Sequence, residues 1–172
     1  MKIIFKILSV IALTLSLASC DNKKETKEVP MGMISLDLAK YGKQFSMYVP
    51  DTISEKLKIK EQSWGALEIK VGKDFFISIT EDPGDIELIK SDIKSNDIDV
   101  FKSFILQEPL TIAWQTTIAE SPRFHFYSIQ KIDKYSYVFS DVLPEDGSSF
   151  SKEAILKMVE SAKQIQKRDL PE

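Results

Sequence analysis

The chain has 172 residues, 43% of them apolar, a formal net charge of −3, one cysteine and one histidine. That composition suits one globular domain with a real core. A lone cysteine excludes an intrachain disulfide or thiolate cage, and a lone imidazole excludes a multi-histidine metal site. The mild acidity speaks against nucleic acid as a partner and against docking on an anionic membrane surface.

Residues 1–19 read as a signal peptide. Lys2 and Lys6 form a basic n-region, residues 7–17 a short apolar h-region, and the small Ala18 and Ser19 precede Cys20. At about 1.5 Å per residue that apolar run covers roughly half of a ~30 Å hydrocarbon core, so cleavage is expected rather than spanning. The order Leu17-Ala18-Ser19-Cys20 resembles the bacterial lipoprotein pattern, in which the cysteine is acylated and becomes the mature N terminus. The resemblance implies diacylglyceryl and N-acyl chains (palmitate or similar) on Cys20, and two or more chains anchor stably where one holds only marginally. The competing reading is an ordinary secretory signal with an incidental cysteine.

Residues 21–30 (DNKKETKEVP) carry dense mixed charge, no apolar periodicity and a closing proline, which predicts a flexible tether. A sorting or surface-export signal is a second use for those charges. The expected organisation is a signal peptide at 1–19, the lipidated cysteine and tether at 20–33, and a single domain at 34–168. The expected address is the cell envelope, on the outer membrane, with the periplasmic and surface faces both open.

Within the domain, Phe45, Met47 and Val49 alternate with polar neighbours and predict a strand stopped by Pro50. Leu57 and Ile59 mark a weaker strand. Leu67, Ile69 and Val71, a Gly72-Lys73-Asp74 turn, and Phe75, Ile77 and Ile79 predict a hairpin over 66–80. The run Asp82-Pro83-Gly84-Asp85 then predicts a helix start with Asp82 as N-cap and Pro83 at the first helical position. Ile86, Ile89 and Ile93 mark its buried face. Ile98, Phe101 and Ile105 repeat that spacing and predict a second short helix ended by Pro109. Strands follow around Leu110–Gln115, Arg123–Tyr127 and Tyr135–Phe139. Ser151 caps a closing helix with Phe150 and Ile155 placed as a hydrophobic staple and Met158, Val159, Ala162 and Ile165 continuing the stripe. The fold class is α+β, an antiparallel sheet with amphipathic helices packed on it.

Tyr41-Gly42 leading to Val49-Pro50, FKSFILQEP at 101–109, Trp114, Phe124-His125-Phe126, Tyr137-Val138-Phe139, and Met158 with Ser161-Ala162-Lys163 resemble a family of uncharacterised lipoproteins from Bacteroidota-type bacteria, over roughly 36–166. The order of elements is also similar to the PsbP-like α/β/α sandwich. That fold implies accessory and binding proteins rather than one chemistry, and the resemblance carries no site residues with it.

His125 is the only residue on which a Ser-His-Asp relay or histidine-based zinc site could be built, and a wall histidine on a partly polar sheet face is the plainer reading. Glu81, Asp82 and Asp85 offer clustered oxygens for calcium without EF-hand spacing, and helix capping already accounts for two of them. Asp141, Glu145 and Asp146 form a second acidic patch. Trp64 beside Gly65, and Tyr41 before Gly42, are candidate recognition residues, against core filling as the common fate of such side chains, Trp114 included. GxSxG, Walker, dinucleotide and HExxH motifs are all lacking. These features predict no catalytic set, metal or cofactor. They predict a membrane-anchored, non-enzymatic binding or accessory module whose partners are the bilayer, through Cys20, and an unidentified envelope protein or small ligand. The alternatives are an inhibitor or immunity-type lipoprotein and a weak hydrolase using scattered carboxylates.

Overall fold

The computed structural model describes residues 29–168 apart from Ser54 and Glu145. The predicted leader, Cys20 and most of the tether lie outside the described residues. The elements run β1 (Met33–Asp37), a 3-10 turn (Ala39–Tyr41), β2 (Phe45–Pro50), β3 (Leu57–Glu61), β4 (Leu67–Val71), β5 (Phe75–Glu81), α1 (Ile86–Ser95), β6 (Val100–Gln107), β7 (Thr111–Ile118), β8 (Ser121–Ile132), β9 (Tyr135–Asp141), α2 (Lys152–Lys163) and β10 (Gln166–Lys167). Every strand pair is antiparallel. The strands form a seven-stranded sheet ordered β3-β4-β5-β9-β8-β7-β6 and a three-stranded sheet ordered β1-β2-β10. An antiparallel sheet with two helices packed against it makes this an α+β fold.

Side-chain alternation divides the large sheet into two unlike faces. One face presents Ile69, Ile77, Ala113, Phe126 and Phe139 to α2 and to Phe45, Met47 and Val49 of β2, all within one apolar core. The residues between them turn the other way. Ile112, Ile129 and Val138 meet Ile86 and Ile93 of α1 in a smaller core on the opposite face. Ser151 caps α2 by accepting the Ala154 N–H at 3.1 Å, and Phe150 and Ile155 are both buried beneath that cap.

Two sequence expectations need correction. α1 is capped by Asp85 rather than Asp82: Asp85 Oδ1 accepts the N–H groups of Glu87 and Leu88 at 2.9 and 3.0 Å. Gly84 has φ +65°, a left-handed backbone that no helix can pass through, so the helix starts after it. Asp82 instead closes the turn by accepting the Gly84 N–H at 2.7 Å.

The second correction concerns the predicted helix around Ile98, Phe101 and Ile105, where the chain forms the edge strand β6. Its pairing with β7 shifts register between Phe101 and Ser103 and again between Phe104 and Leu106. Each irregularity adds a residue to one side of the ladder. Phe101 thus pairs with Thr116 and Phe104 with Trp114, putting residues three apart on one face, with ring centroids 4.9 Å apart. The expected stripe is split: Phe101 packs on the smaller core, Ile105 on the main core, and Ile98 is exposed.

Candidate functional site

β7 and β8 pair with Trp114 opposite His125 and Thr116 opposite Arg123, so indole, hydroxyl and imidazole rise from the α1 side of the sheet. The His125 ring lies on Trp114 with centroids 5.5 Å apart and planes at 33°. β9 stops short here. Its last backbone partnership with β8 is Tyr127 with Ser140, and beyond that point the Asp141 side chain takes the place of the strand. Asp141 Oδ1 accepts the Phe126 N–H at 2.8 Å, and Oδ2 lies 2.9 Å from His125 Nδ1.

An ionised carboxylate can only accept, so Nδ1 carries a proton. The other ring nitrogen, Nε2, faces Asp99 Oδ2 at 3.3 Å. Asp99 comes from the loop between α1 and β6, where Asn96 Oδ1 accepts the N–H groups of Ile98 and Asp99 and folds the loop back. The His125 side chain is 11% exposed, and those of the carboxylates on either side of it are 5% (Asp141) and 24% (Asp99) exposed. Burial pulls the imidazole pKa down. The Asp141 hydrogen bond and charge, with Asp99 behind them, outweigh that and the repulsion from Arg123, so the pKa rises above its ordinary 6.5.

The group lines a cleft of about 390 Å³ between the end of α1 and the sheet. Ile89, Ile93 and Leu143 supply apolar wall, Asp92 and Asp99 supply charge, and no lysine or arginine lines it. Tyr127 also contributes; burial raises its phenol pKa, the Asp85 backbone N–H opposes this, and the Asp82 and Asp85 charges add to the rise. Among the described residues, four buried side-chain polar atoms lack a hydrogen-bond partner. Three of them, His125 Nε2, Asp99 Oδ1 and Thr116 Oγ1, belong to residues of this cleft, and the fourth, Gln44 Oε1, does not.

Chemically, the Asp141–His125 pair has the form of an oriented base. Its free nitrogen, however, meets a carboxylate and not a hydroxyl. With His125 neutral, Nε2 and Asp99 Oδ2 would be two acceptors facing each other at 3.3 Å. A proton, or a donor supplied by a ligand, has to lie between them. Among the described residues no group of three His, Cys, Asp or Glu side chains could hold a metal ion.

Of the residues singled out from sequence, His125, Asp141 and Trp114 line the cleft. Trp64 sits 64% exposed between β3 and β4, and Tyr41 packs against the main core in the 3-10 turn with Lys40 Nζ 4.8 Å from its ring centre. Asp82 and Asp85 are spent on backbone N–H groups. Of the later acidic patch, Asp146 accepts the Ser148 N–H and hydroxyl, Glu145 lies outside the described residues, and Asp141 proves to be the support of His125. Sequence reasoning missed Asp99 and Thr116 altogether and favoured core filling for Trp114. No protein-family model, no curated protein and no solved structure matches this chain.

Proposed function

We propose that the chain is a membrane-anchored envelope lipoprotein, acylated at Cys20, whose domain is a non-enzymatic module that binds a small ligand in the cleft beside His125. The anchor half of this reading rests on Leu17-Ala18-Ser19-Cys20 and the charged run behind it. The binding half rests on one observation, the gathering of unpartnered buried polar atoms at a single concave site. Leaving such an atom unpaired costs about 1–3 kcal/mol; Asp99 Oδ1 and Thr116 Oγ1 have no partner, and His125 Nε2 has only Asp99 Oδ2 at 3.3 Å, which supports a site that takes a ligand. The PsbP-like sandwich is our finer reading of the fold, supported by the helices lying on opposite faces of the large sheet.

Native mass spectrometry of the full chain, purified from its own envelope in detergent, tests the binding half. A small-molecule adduct that disappears in His125→Gln is expected. Identical spectra for the two proteins, with no adduct on either, would remove the reading. A weak hydrolase remains the second reading because Asp141 and His125 are already paired as a base would be. Ester, glycoside and peptide turnover abolished by His125→Gln would favour it over binding alone.

A further inference from the structure

We infer that the ligand of this cleft is an organic cation bearing a primary ammonium group. The inference rests on the binding reading above and names the chemistry that would satisfy it. The cleft has acceptors to fill: Asp92 and Asp99 line it and Asp141 stands behind the imidazole. No lysine or arginine is in its lining, and Arg123, cross-strand from Thr116, acts on His125 from outside that lining.

An ammonium carries three N–H donors and no acceptor. The unpartnered atoms here are a carboxylate oxygen of Asp99, the hydroxyl oxygen of Thr116 and the ring nitrogen of His125. With Nδ1 protonated towards Asp141, a neutral His125 offers Nε2 as an acceptor, and it faces Asp99 Oδ2 across 3.3 Å. An N–H group placed against that pair resolves the conflict of two facing acceptors, and Thr116 accepts as a third. The indole of Trp114 provides an aromatic face of the kind that attracts cations, and Ile89, Ile93 and Leu143 take an alkyl stem. A metal ion is the poorer occupant, since no third His, Cys, Asp or Glu ligand converges among the described residues. An anion would face the charges of Asp92 and Asp99.

The test uses n-butylammonium as probe and n-butanol as its uncharged counterpart, each titrated by calorimetry into the full chain held in detergent. One-to-one binding of n-butylammonium is expected, weakened roughly tenfold or more by Asp99→Asn, the loss of one charged hydrogen bond. Thr116→Val supplies a second variant that does not depend on burying a new polar group. It is expected to weaken binding while leaving the unliganded protein at least as stable, because an unpaired hydroxyl has been removed. Trp64→Ala, outside the cleft, is expected to bind as the parent does. Equal affinity for n-butylammonium and n-butanol would overturn the inference, as would undiminished binding in Asp99→Asn. Zinc binding in preference to n-butylammonium would overturn it in favour of a metal. A native adduct lost in His125→Gln but indifferent to n-butylammonium would leave the binding module standing and this ligand class refuted.

Discussion

His125 is the only imidazole in the chain, so its titration can be followed without assignment ambiguity. Burial works against the charged ring, whereas Asp141 in β9 and Asp99 in the α1–β6 loop work for it and Arg123 in β8 against it. The balance lies above the ordinary value of 6.5. A raised folded-state pKa means that the folded chain holds the proton more tightly than the unfolded one. The resulting stability is fully present below about pH 6.5 and is lost as pH rises through the folded value. Proton NMR of the ring should therefore show a midpoint above 6.5, moving down in Asp99→Asn, and thermal melting should drop across that same interval. A midpoint at or below the ordinary value would show that desolvation wins. This scale is also where the sequence was least informative about the site. A lone histidine between two phenylalanines is visible to any reader. Its two carboxylates are not, because Asp99 and Asp141 reach it only after β6, β7, β8 and β9 have paired, and both look like ordinary loop acids in the linear chain.

Whether α1 holds together is decided at its first turn. Asp85 satisfies two of the otherwise orphaned N–H groups, whereas Asp82 only closes the preceding turn. Asp85→Ala should cost about 0.5–2 kcal/mol by chemical denaturation, and Asp82→Ala distinctly less. Equal losses would restore Asp82 as the cap. Gly84→Ala should cost more than about 1 kcal/mol, since φ is +65° and a Cβ there would meet Ile129 at 2.7 Å. Regular elements were legible because their apolar period matched their geometry. β2, the β4–β5 hairpin, β9 and the closing helix with its Ser151 cap all lie where alternation or a 3.6-residue period puts them. β6 departs from the expected helix because the spacing of Ile98, Phe101 and Ile105 was not one face: Phe101 packs on the smaller core, Ile105 on the main core, and Ile98 is exposed. β1 and the two-residue β10 went unread, for they pair only with β2 and carry little pattern of their own.

For the molecule as a whole, the two faces of the large sheet have different roles. One is sealed by α2 and the small sheet into the main core, where Phe139→Ala should cost about 3–5 kcal/mol, read as a shift in denaturation midpoint. The other is covered by α1 over its smaller core, and the His125 cleft opens beside that helix. A binding site on the thinly covered face leaves the main core untouched. No helix among the described residues is long and apolar enough to cross a bilayer, so the proposed membrane attachment asks for something outside the described fold to hold the domain there. The proposed acylation of Cys20 does that through buried methylenes worth ~0.8 kcal/mol each, an attachment that salt does not screen. The full chain should therefore sediment with membranes at both low and high salt, and intact mass should show a product beginning at residue 20 and heavier by its acyl chains. Cys20→Ser should move the protein to the supernatant. Recovery of the parent with a free thiol, or release of both forms alike by salt, would place the hold on the membrane elsewhere and remove the anchor from the proposal.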